Sequence, residues 1–306
     1  MYFFIVNPQS RSKKGQSLWA VISSILENQT DDYEVYFTEY AGHATKLAHQ
    51  ITSEHPDCTL VAVGGDGTIH EVMTGITNHE TITFGYIPSG SGNDFARGMG
   101  ISNNIAEAVE HILHPTTYMN MDVCCAKRDD EEIQRFGVSC SIGFDAGVCY
   151  EVEVSPLKSI LNRLHLGKLT YALLAVKQVI TYKAAPIQLE FDGKHHREFK
   201  KAYFAAAFNQ KFEGGGVMLA PNAKPDDGCI DVLVVEGVPR IVILCVLPLA
   251  FWGLHKVIPG VHLYRCKNVN IQYTTQNPVH LDGDPCGMHK NLYVAVDEKP
   301  LKVIIS

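Results

Sequence analysis

VAVGGDGTIHEV, residues 61–72, decides how the chain is read. An apolar run stops at two glycines, an aspartate, a third glycine and a threonine. Apolar residues then resume as Ile69, Val72, Met73 and Ile76, the offsets of one helical face. Residues 60–63 are all apolar, as expected of a strand in a parallel sheet covered on both faces. The turn therefore joins a buried strand to a helix N-terminus. Free N–H groups and the positive end of the helix dipole favour an anion there, and glycines without Cβ let a ligand reach the main chain. Asp66 is the odd member. A carboxylate among phosphate-binding amides repels the ligand unless a cation sits between them, which suggests Mg²⁺ with a nucleotide.

Outward from this turn, strand-like runs at 2–6, 33–38, 59–63 and 81–87 alternate with helical patterns at 16–28, 43–54, 68–78 and 104–113. The alternation predicts βα units and a parallel, doubly wound α/β sheet. Ligands of such sheets sit beyond the carboxyl ends of the strands. Asn7, Pro8, Thr38, the Gly64, Gly65, Asp66, Gly67 and Thr68 turn, and residues 88–94 all fall at those ends, so these distant segments are expected to line one crevice. Past residue 122 the pattern changes to short β-like runs at 121–126, 135–142, 187–191, 201–208, 230–236, 269–273 and 292–296, which read as a sheet sandwich. A helical insertion at 156–182 interrupts it, with Leu169, Ala172, Leu173, Val176 and Ile180 at helical spacing. Two domains are expected: an α/β domain over 1–122 and a β-sandwich domain over 123–296. LKVIIS, residues 301–306, is a last strand that the sequence assigns to neither sheet, and a return of 297–306 to the first domain is one placement.

The 306 residues suffice for two cores, and 46% hydrophobic with 19% charged residues is ordinary globular composition. A net charge of −7 carries no nucleic-acid footprint. Nine cysteines without a CxxC pair argue against a disulfide framework or a zinc site and for thiols in a reducing cytoplasm. Residues 1–6 are too short for a signal sequence. The longest apolar stretch, IVILCVLPLAFWGL at 241–254, has 14 residues with Pro248 in the middle, short of the ~20 that span a bilayer. It reads as a core helix, with a membrane-touching surface as the alternative.

A second glycine-rich turn, PSGSGNDFARGMG at 88–100, follows the fourth strand. Ser89, Ser91 and Asn93 offer hydrogen bonds, Asp94 suits a metal or its water, and Arg97 can neutralise phosphate. NPQSRSKKG at 7–15 adds Arg11, Lys13 and Lys14 in a polar loop beside the same strand ends.

Together these segments resemble the diacylglycerol-kinase catalytic-domain family, which includes the sphingosine kinases. The resemblance runs through Asn7-Pro8, GGDGT at 64–68, PSGSGNDFA at 88–96, DDG at 226–228 and LDGD at 281–284, in family order. GGDGT alone is shared with NAD kinases, and the later motifs carry the specificity. The resemblance implies a lipid kinase with a nucleotide-binding domain followed by a β-sandwich, using ATP and Mg²⁺. Implied nucleotide contacts are Asn7, Pro8, Thr38, Gly64, Gly65, Asp66, Gly67, Thr68, Ser91, Asn93, Asp94 and Asp284. Asp282 stands where the family has its general base for the lipid hydroxyl, and Asp284 stands where the family more often has glutamate. Asp226-Asp227-Gly228 matches a structural Mg²⁺ turn, implying the Asp227 side chain and the carbonyls of Lys224 and Cys229 as ligands.

A cytoplasmic protein without a transmembrane helix is expected, meeting its lipid peripherally at the inner membrane surface. Residues 161–174 and 251–261, with Lys158, Arg163, Lys168 and Lys256, are the expected contacts. A homodimer is left open. Diacylglycerol is the expected acceptor, though a sphingoid base, phosphatidylglycerol or a polyprenol presents the same hydroxyl on an apolar body. An NAD kinase or other soluble-substrate kinase, and an inactive lipid or nucleotide sensor, are the rival readings.

Overall fold

The computed structural model describes residues 1–10, 15–27, 29–30, 32–154 and 167–306. The chain forms two compact units, one of Met1–Val123, Pro225–Asp227 and Asp297–Ser306, the other of Cys124–Lys224 and Gly228–Val296.

In the first unit, β1 (Tyr2–Val6), α1 (Gly15–Leu26), β2 (Tyr33–Phe37), α2 (His43–Glu54), β3 (Thr59–Gly64), α3 (Asp66–Gly75) and β4 (Thr83–Pro88) alternate as the periodicity predicts. Three elements follow: α4 (Asp94–Met99), α5 (Ile105–Leu113) and β5 (Tyr118–Met121). The C-terminal strand β15 (Leu301–Ile304) completes a sheet of order β2-β1-β3-β4-β15-β5. It is parallel except where β15 meets β5. Residues 3–6 of β1 and 60–63 of β3 are buried, which is why these strands read as unbroken apolar runs. Leu18, Ile22, Val109 and Ile112 of α1 and α5 pack on Phe4, Val6, Val61 and Val63. Register brings the strand ends level, because Val6 pairs with both Phe37 and Val63, and Gly64 pairs with Pro88. The residues that follow each strand therefore emerge side by side.

The second unit is antiparallel. Its strands are β6 (Cys124–Arg128), β7 (Gln134–Phe136), β8 (Ser139–Gly143), β9 (Ala185–Phe191), β10 (His195–Phe208), β11 (Ile230–Glu236), β12 (Val261–Cys266), β13 (Asn268–Leu281) and β14 (Asp284–Val296). They run in the order β12-β11-β10-β8-β13-β14-β6-β7. The 14-residue strands β10 and β13 each pair with β9 through their first half and with β8 through their second. Two long strands thereby serve both layers of the sandwich, whose interior includes Ile142, Leu189, Ala205, Val232, Ile271 and Leu292. Helices α6 (Phe144–Val154) and α7 (Gly167–Thr181) pack outside it through Val148, Val152, Leu174 and Val179.

Two readings change, and helix α6 was not foreseen, since its end, EVEV at 151–154, alternates glutamate and valine at strand period. β10 starts at His195 because its polar first half, HHREFKK, lies against β9 with most side chains outward. The segment 241–254 is not a core helix. It forms α8 (Arg240–Val246), in which no residue is buried, and two 3₁₀ turns, Leu247–Trp252 and Leu254–Val257. Ile241 and Trp252 are both 67% exposed. Pro248 near the start of the first turn, and Gly253 with φ +67° between the two, keep the segment from turning one continuous face inward. Among the described residues no helix is long and apolar enough to cross a membrane. All nine cysteines are free, with Cys58, Cys124, Cys140 and Cys266 buried.

Candidate active site

The two glycine turns of the first unit are built against each other. The Gly64 carbonyl accepts the Ser89 N–H at 2.7 Å and the Tyr86 hydroxyl at 3.1 Å. Asp66 Oδ1 accepts the Phe95 N–H at 3.1 Å. A Cβ on Gly65 would stand 3.2 Å from Gly90 Cα, and one on Gly90 would stand 2.7 Å from Gly65 Cα. Here the glycines permit backbone-to-backbone packing of the turns, in addition to the open approach that a ligand needs. A Cβ on Gly64 would collide with the Thr68 side chain, whose Oγ1 accepts from Asn7 Nδ2 at 3.0 Å. The loop after β1 is tied to the second turn as well, since Ser89 Oγ donates to Ser10 Oγ at 2.9 Å.

Asn93 sits in the left-handed region at φ +52°, which asparagine tolerates, and its side chain donates to Asn103. This bend starts α4 at the buried Asp94, which accepts a hydrogen bond from Arg97. Burial first, and then the carboxylates of Asp66 and Asp94, push the Tyr86 phenol well above its ordinary value. The two acids thus share one neighbourhood. Two carboxylates and several backbone oxygens at paired turns are the donor chemistry that Mg²⁺ takes.

Beside the turns lies a cavity of about 240 Å³ lined by Asn7, Gln9, Thr38, Glu39, Tyr40, Ala41, Ala44, Thr68 and Glu71. It gathers three expected site residues, Asn7, Thr38 and Thr68, from three strand ends. Glu71 and Tyr40 were not foreseen. Glu71 lies three residues past Thr68 and accepts the Ala44 N–H at 3.1 Å, capping α2, which starts from Gly42 without a side-chain cap of its own. Tyr40 stacks on His43 with ring centroids 4.6 Å apart. Ser91 is exposed beside the second turn. Arg11, Lys13 and Lys14 lie outside the described residues.

In the second unit, Asp282 and Gly283 form the turn between β13 and β14, with φ +51° and +87°. Asp282 Oδ1 accepts the N–H groups of Val138 at 2.7 Å and Ser139 at 3.1 Å, and Oδ2 that of Gly137 at 2.9 Å. Its own N–H donates to the Ser139 carbonyl. No sequence signal announced this clamp, because the donors are main-chain groups 143 to 145 positions away. Asp284 is exposed at the head of β14. Asp227 belongs to the first unit, and Lys224 and Cys229 to the second. Gly228, at φ +70°, makes the bend that a left-handed residue allows.

The chain matches the diacylglycerol kinase catalytic domain over residues 1–126 and the YegS C-terminal NAD kinase beta sandwich-like domain over residues 139–305. It is 30% identical over 290 residues to the Bacillus subtilis (strain 168) protein YtlR, covering 94% of each chain. It is also 30% identical over 263 residues to a diacylglycerol kinase of Staphylococcus aureus (strain Newman), covering 85% of this chain and 78% of that one. A diacylglycerol kinase structure from Bacillus anthracis str. Sterne shares the fold with a TM-score of 0.73 at 22% identity, over 100% of this chain and 96% of that one. An NAD kinase from Archaeoglobus fulgidus in complex with ATP does so more distantly, with a TM-score of 0.55 at 12% identity, over 99% and 93% of the two chains. With its paired glycine turns on a doubly wound sheet and its aspartate turn on a β-sandwich, the chain belongs to the diacylglycerol kinase family and is a lipid-kinase-like enzyme.

Proposed function

We propose that the protein transfers the γ-phosphoryl group of ATP to the hydroxyl of a membrane lipid, with diacylglycerol as acceptor and phosphatidic acid as product. The observation that carries this reading is the tied pair of glycine turns, in which Asp66 and Asp94 flank a buried tyrosine at the mouth of the parallel sheet. Residues 64–68 and 88–92 would cradle the phosphates. Asn7, Thr38 and Thr68 would face the rest of the nucleotide. Mg²⁺ near Asp66 and Asp94 would neutralise phosphate charge, and a second ion would suit the Asp227 side chain with the Lys224 and Cys229 carbonyls.

Asp282 would act on the acceptor. The lipid oxygen forms a bond to the γ-phosphorus, the bond from that phosphorus to the bridging oxygen breaks, and ADP leaves. The hydroxyl proton passes to Asp282. Three amide donors already occupy much of the lone-pair capacity of this carboxylate, so its larger share is to orient the hydroxyl. Phosphoryl transfer through a loose transition state draws mainly on such alignment and on charge neutralisation.

The lipid lies in a bilayer, and the second unit offers an apolar surface to meet it. Phe251, Trp252, Leu254 and Val257 are 50 to 74% exposed beside the exposed Lys256. The buried His255, bonded to the Leu219 carbonyl at 3.0 Å, fixes the turn beneath them. Lys158 and Arg163 lie outside the described residues. A cation near an anionic surface contributes on the order of 1 kcal/mol, so contact should be weak, reversible and salt-sensitive.

Turnover of ATP with Mg²⁺ decides the reading when measured with diacylglycerol in detergent micelles, with NAD, and with no acceptor. ATP consumption that requires the lipid supports it. Consumption driven by NAD would identify a soluble-substrate kinase, and none in any arm would identify a sensor.

A further inference from the structure

His280 is fully buried in β13, two residues ahead of Asp282, and both of its ring nitrogens are engaged. Nε2 lies 2.9 Å from Asp145 Oδ2 on α6 and 3.0 Å from Glu213 Oε1 in the loop after β10. Nδ1 accepts the Gly283 N–H at 3.1 Å. The Glu213 side chain is 10% exposed, and the Ser139 hydroxyl also donates toward it.

Two carboxylates facing one imidazole nitrogen inside a protein need a compensating positive charge, because like charges at this range are costly. A metal ion or a proton can supply it. Gly283 decides between them. Its N–H can only donate, so Nδ1 must present a lone pair, and a neutral ring then carries its hydrogen on Nε2. A metal at Nε2 would require the ring hydrogen on Nδ1, where the Gly283 N–H already points. Burial opposes charge on the ring, while Cys149, Glu213 and Asp145 push the ring well above its ordinary value. A second ring hydrogen on Nδ1 would nonetheless meet the Gly283 N–H head-on, and this contact leaves the carboxylates as the seat of the extra proton.

We propose that Asp145, Glu213 and His280 form a proton-sharing triad in which the two carboxylates hold one proton between them and the neutral imidazole clamps the Asp282–Gly283 turn. They are positioning residues for the turn that orients the lipid hydroxyl, a role that rests on the function proposed above. Burial, and then the Asp145 carboxylate, push Glu213 up to about 6. The other titratable neighbours are Cys149 on α6, Cys140 on β8, Cys286 on β14, and Asp282 and Asp284 of the turn. Burial raises all three thiols, Cys149 to about 12, so they stay protonated and the local charge is carried by the carboxylates and the ring.

Long-range ¹H–¹⁵N NMR of histidine-labelled protein, with His280 assigned through its substitution, reads the tautomer without reference to activity. At about pH 5, below the raised Glu213 value, the expected result is a neutral ring protonated at Nε2. It should be the same in Glu213→Gln, whose amide stands in for the protonated acid. A doubly protonated ring, or a ring signal moved by stoichiometric Zn²⁺ or Mn²⁺, would overturn the triad. Thermal melts add a second reading. An acid whose folded value is raised favours the native state at low pH and loses that advantage as pH rises. Wild-type melting temperature should therefore fall relative to Glu213→Gln between about pH 5 and about pH 7, and parallel curves would count against the shared proton.

For positioning, His280→Asn keeps an acceptor where Nδ1 stands, and should retain turnover within a few fold. His280→Phe should lose about 10- to 100-fold in kcat with KM for ATP unchanged. Equal losses in two variants that melt like wild type would overturn the clamp. A wild-type protein that phosphorylates no lipid would instead defeat the proposed function, and the NMR and melting arms would still decide the triad.

Discussion

The Asp66 carboxylate accepts the Phe95 backbone N–H at 3.1 Å, so the acid of the first glycine turn holds the start of the helix that follows the second. Asp66→Ala should therefore lower stability by about 1.5–3 kcal/mol, the range for a hydrogen bond to a charged group. It should also reduce turnover by more than the unfolded fraction explains. Asp66→Asn keeps an acceptor oxygen and should recover most of the stability while the Mg²⁺ requirement rises. Denaturant melts beside Mg²⁺ titrations of turnover separate the two effects, and an unchanged Mg²⁺ requirement in Asp66→Asn would remove Asp66 from metal binding.

The contact between the turns ranks two glycine substitutions. Gly90→Ala places a Cβ 2.7 Å from Gly65 Cα and 2.8 Å from Asn93 Oδ1, and should destabilise by about 1–3 kcal/mol, as overpacking does. Gly65→Ala meets only Gly90, at 3.2 Å or beyond, and should fold nearly as well while binding ATP more weakly. Calorimetric titration of ATP alongside thermal melts checks the order. Unchanged ATP affinity in a folded Gly65→Ala protein would place the phosphates elsewhere.

Asp282→Asn changes more than a proton acceptor. One of its two side-chain positions becomes an N–H₂ group facing amide donors that now meet carboxylate oxygens. A loss of about 1–3 kcal/mol of stability should accompany a fall of about 10²- to 10⁴-fold in turnover, with ATP binding kept. Near-normal turnover would exclude Asp282 from the mechanism.

Asp129, at φ +43°, gives a prediction in acid. Partial burial works the other way, yet the N–H and side chain of Asn291, together with His289 and the Lys290 N–H, hold its carboxyl below the ordinary value. A carboxylate lowered in this way stabilises the fold above its unfolded value and stops doing so as pH falls through the folded one. Asp129→Asn, which tolerates the same backbone, should melt below wild type at about pH 7 and converge with it below about pH 3. A gap of constant size would trace the loss to geometry instead of charge.

The apolar turns of the second unit can be tested without chemistry. Phe251→Ser with Trp252→Ser should reduce cosedimentation with vesicles and raise KM for micellar lipid, while ATP affinity stays unchanged because no residue of the glycine turns is touched. Wild-type protein should sediment more with anionic than with zwitterionic vesicles, and the difference should fade at high salt. Sedimentation of the double variant at wild-type level would move the membrane contact to another surface.

Much of the first unit was legible because its signals are local. The unbroken apolar runs of β1 and β3, the glycine turns and the helical faces each lie within a dozen residues, and the in-register parallel pairing makes the loops converge. The second unit was less legible. The polar half of β10 lies against β9, α6 ends in EVEV at strand period, and the apolar 241–254 segment, broken by Pro248 and Gly253, packs only partly on the core through Val242, Ile243, Leu244 and Leu247.

The candidate site divides along the same line. The sequence alone determined which residue types stand at the turns, because backbone freedom at glycine and the oxygen chemistry of aspartate and asparagine are properties of single residues. Only the tertiary structure decided what those residues touch. It set Gly65 against Gly90, Asp66 on the Phe95 amide, Asp282 on the amides of residues 137–139, and His280 between Asp145 and Glu213. Such contacts depend on strand register and on main-chain donors that every residue type carries alike, so no pattern of side chains along the chain can announce them.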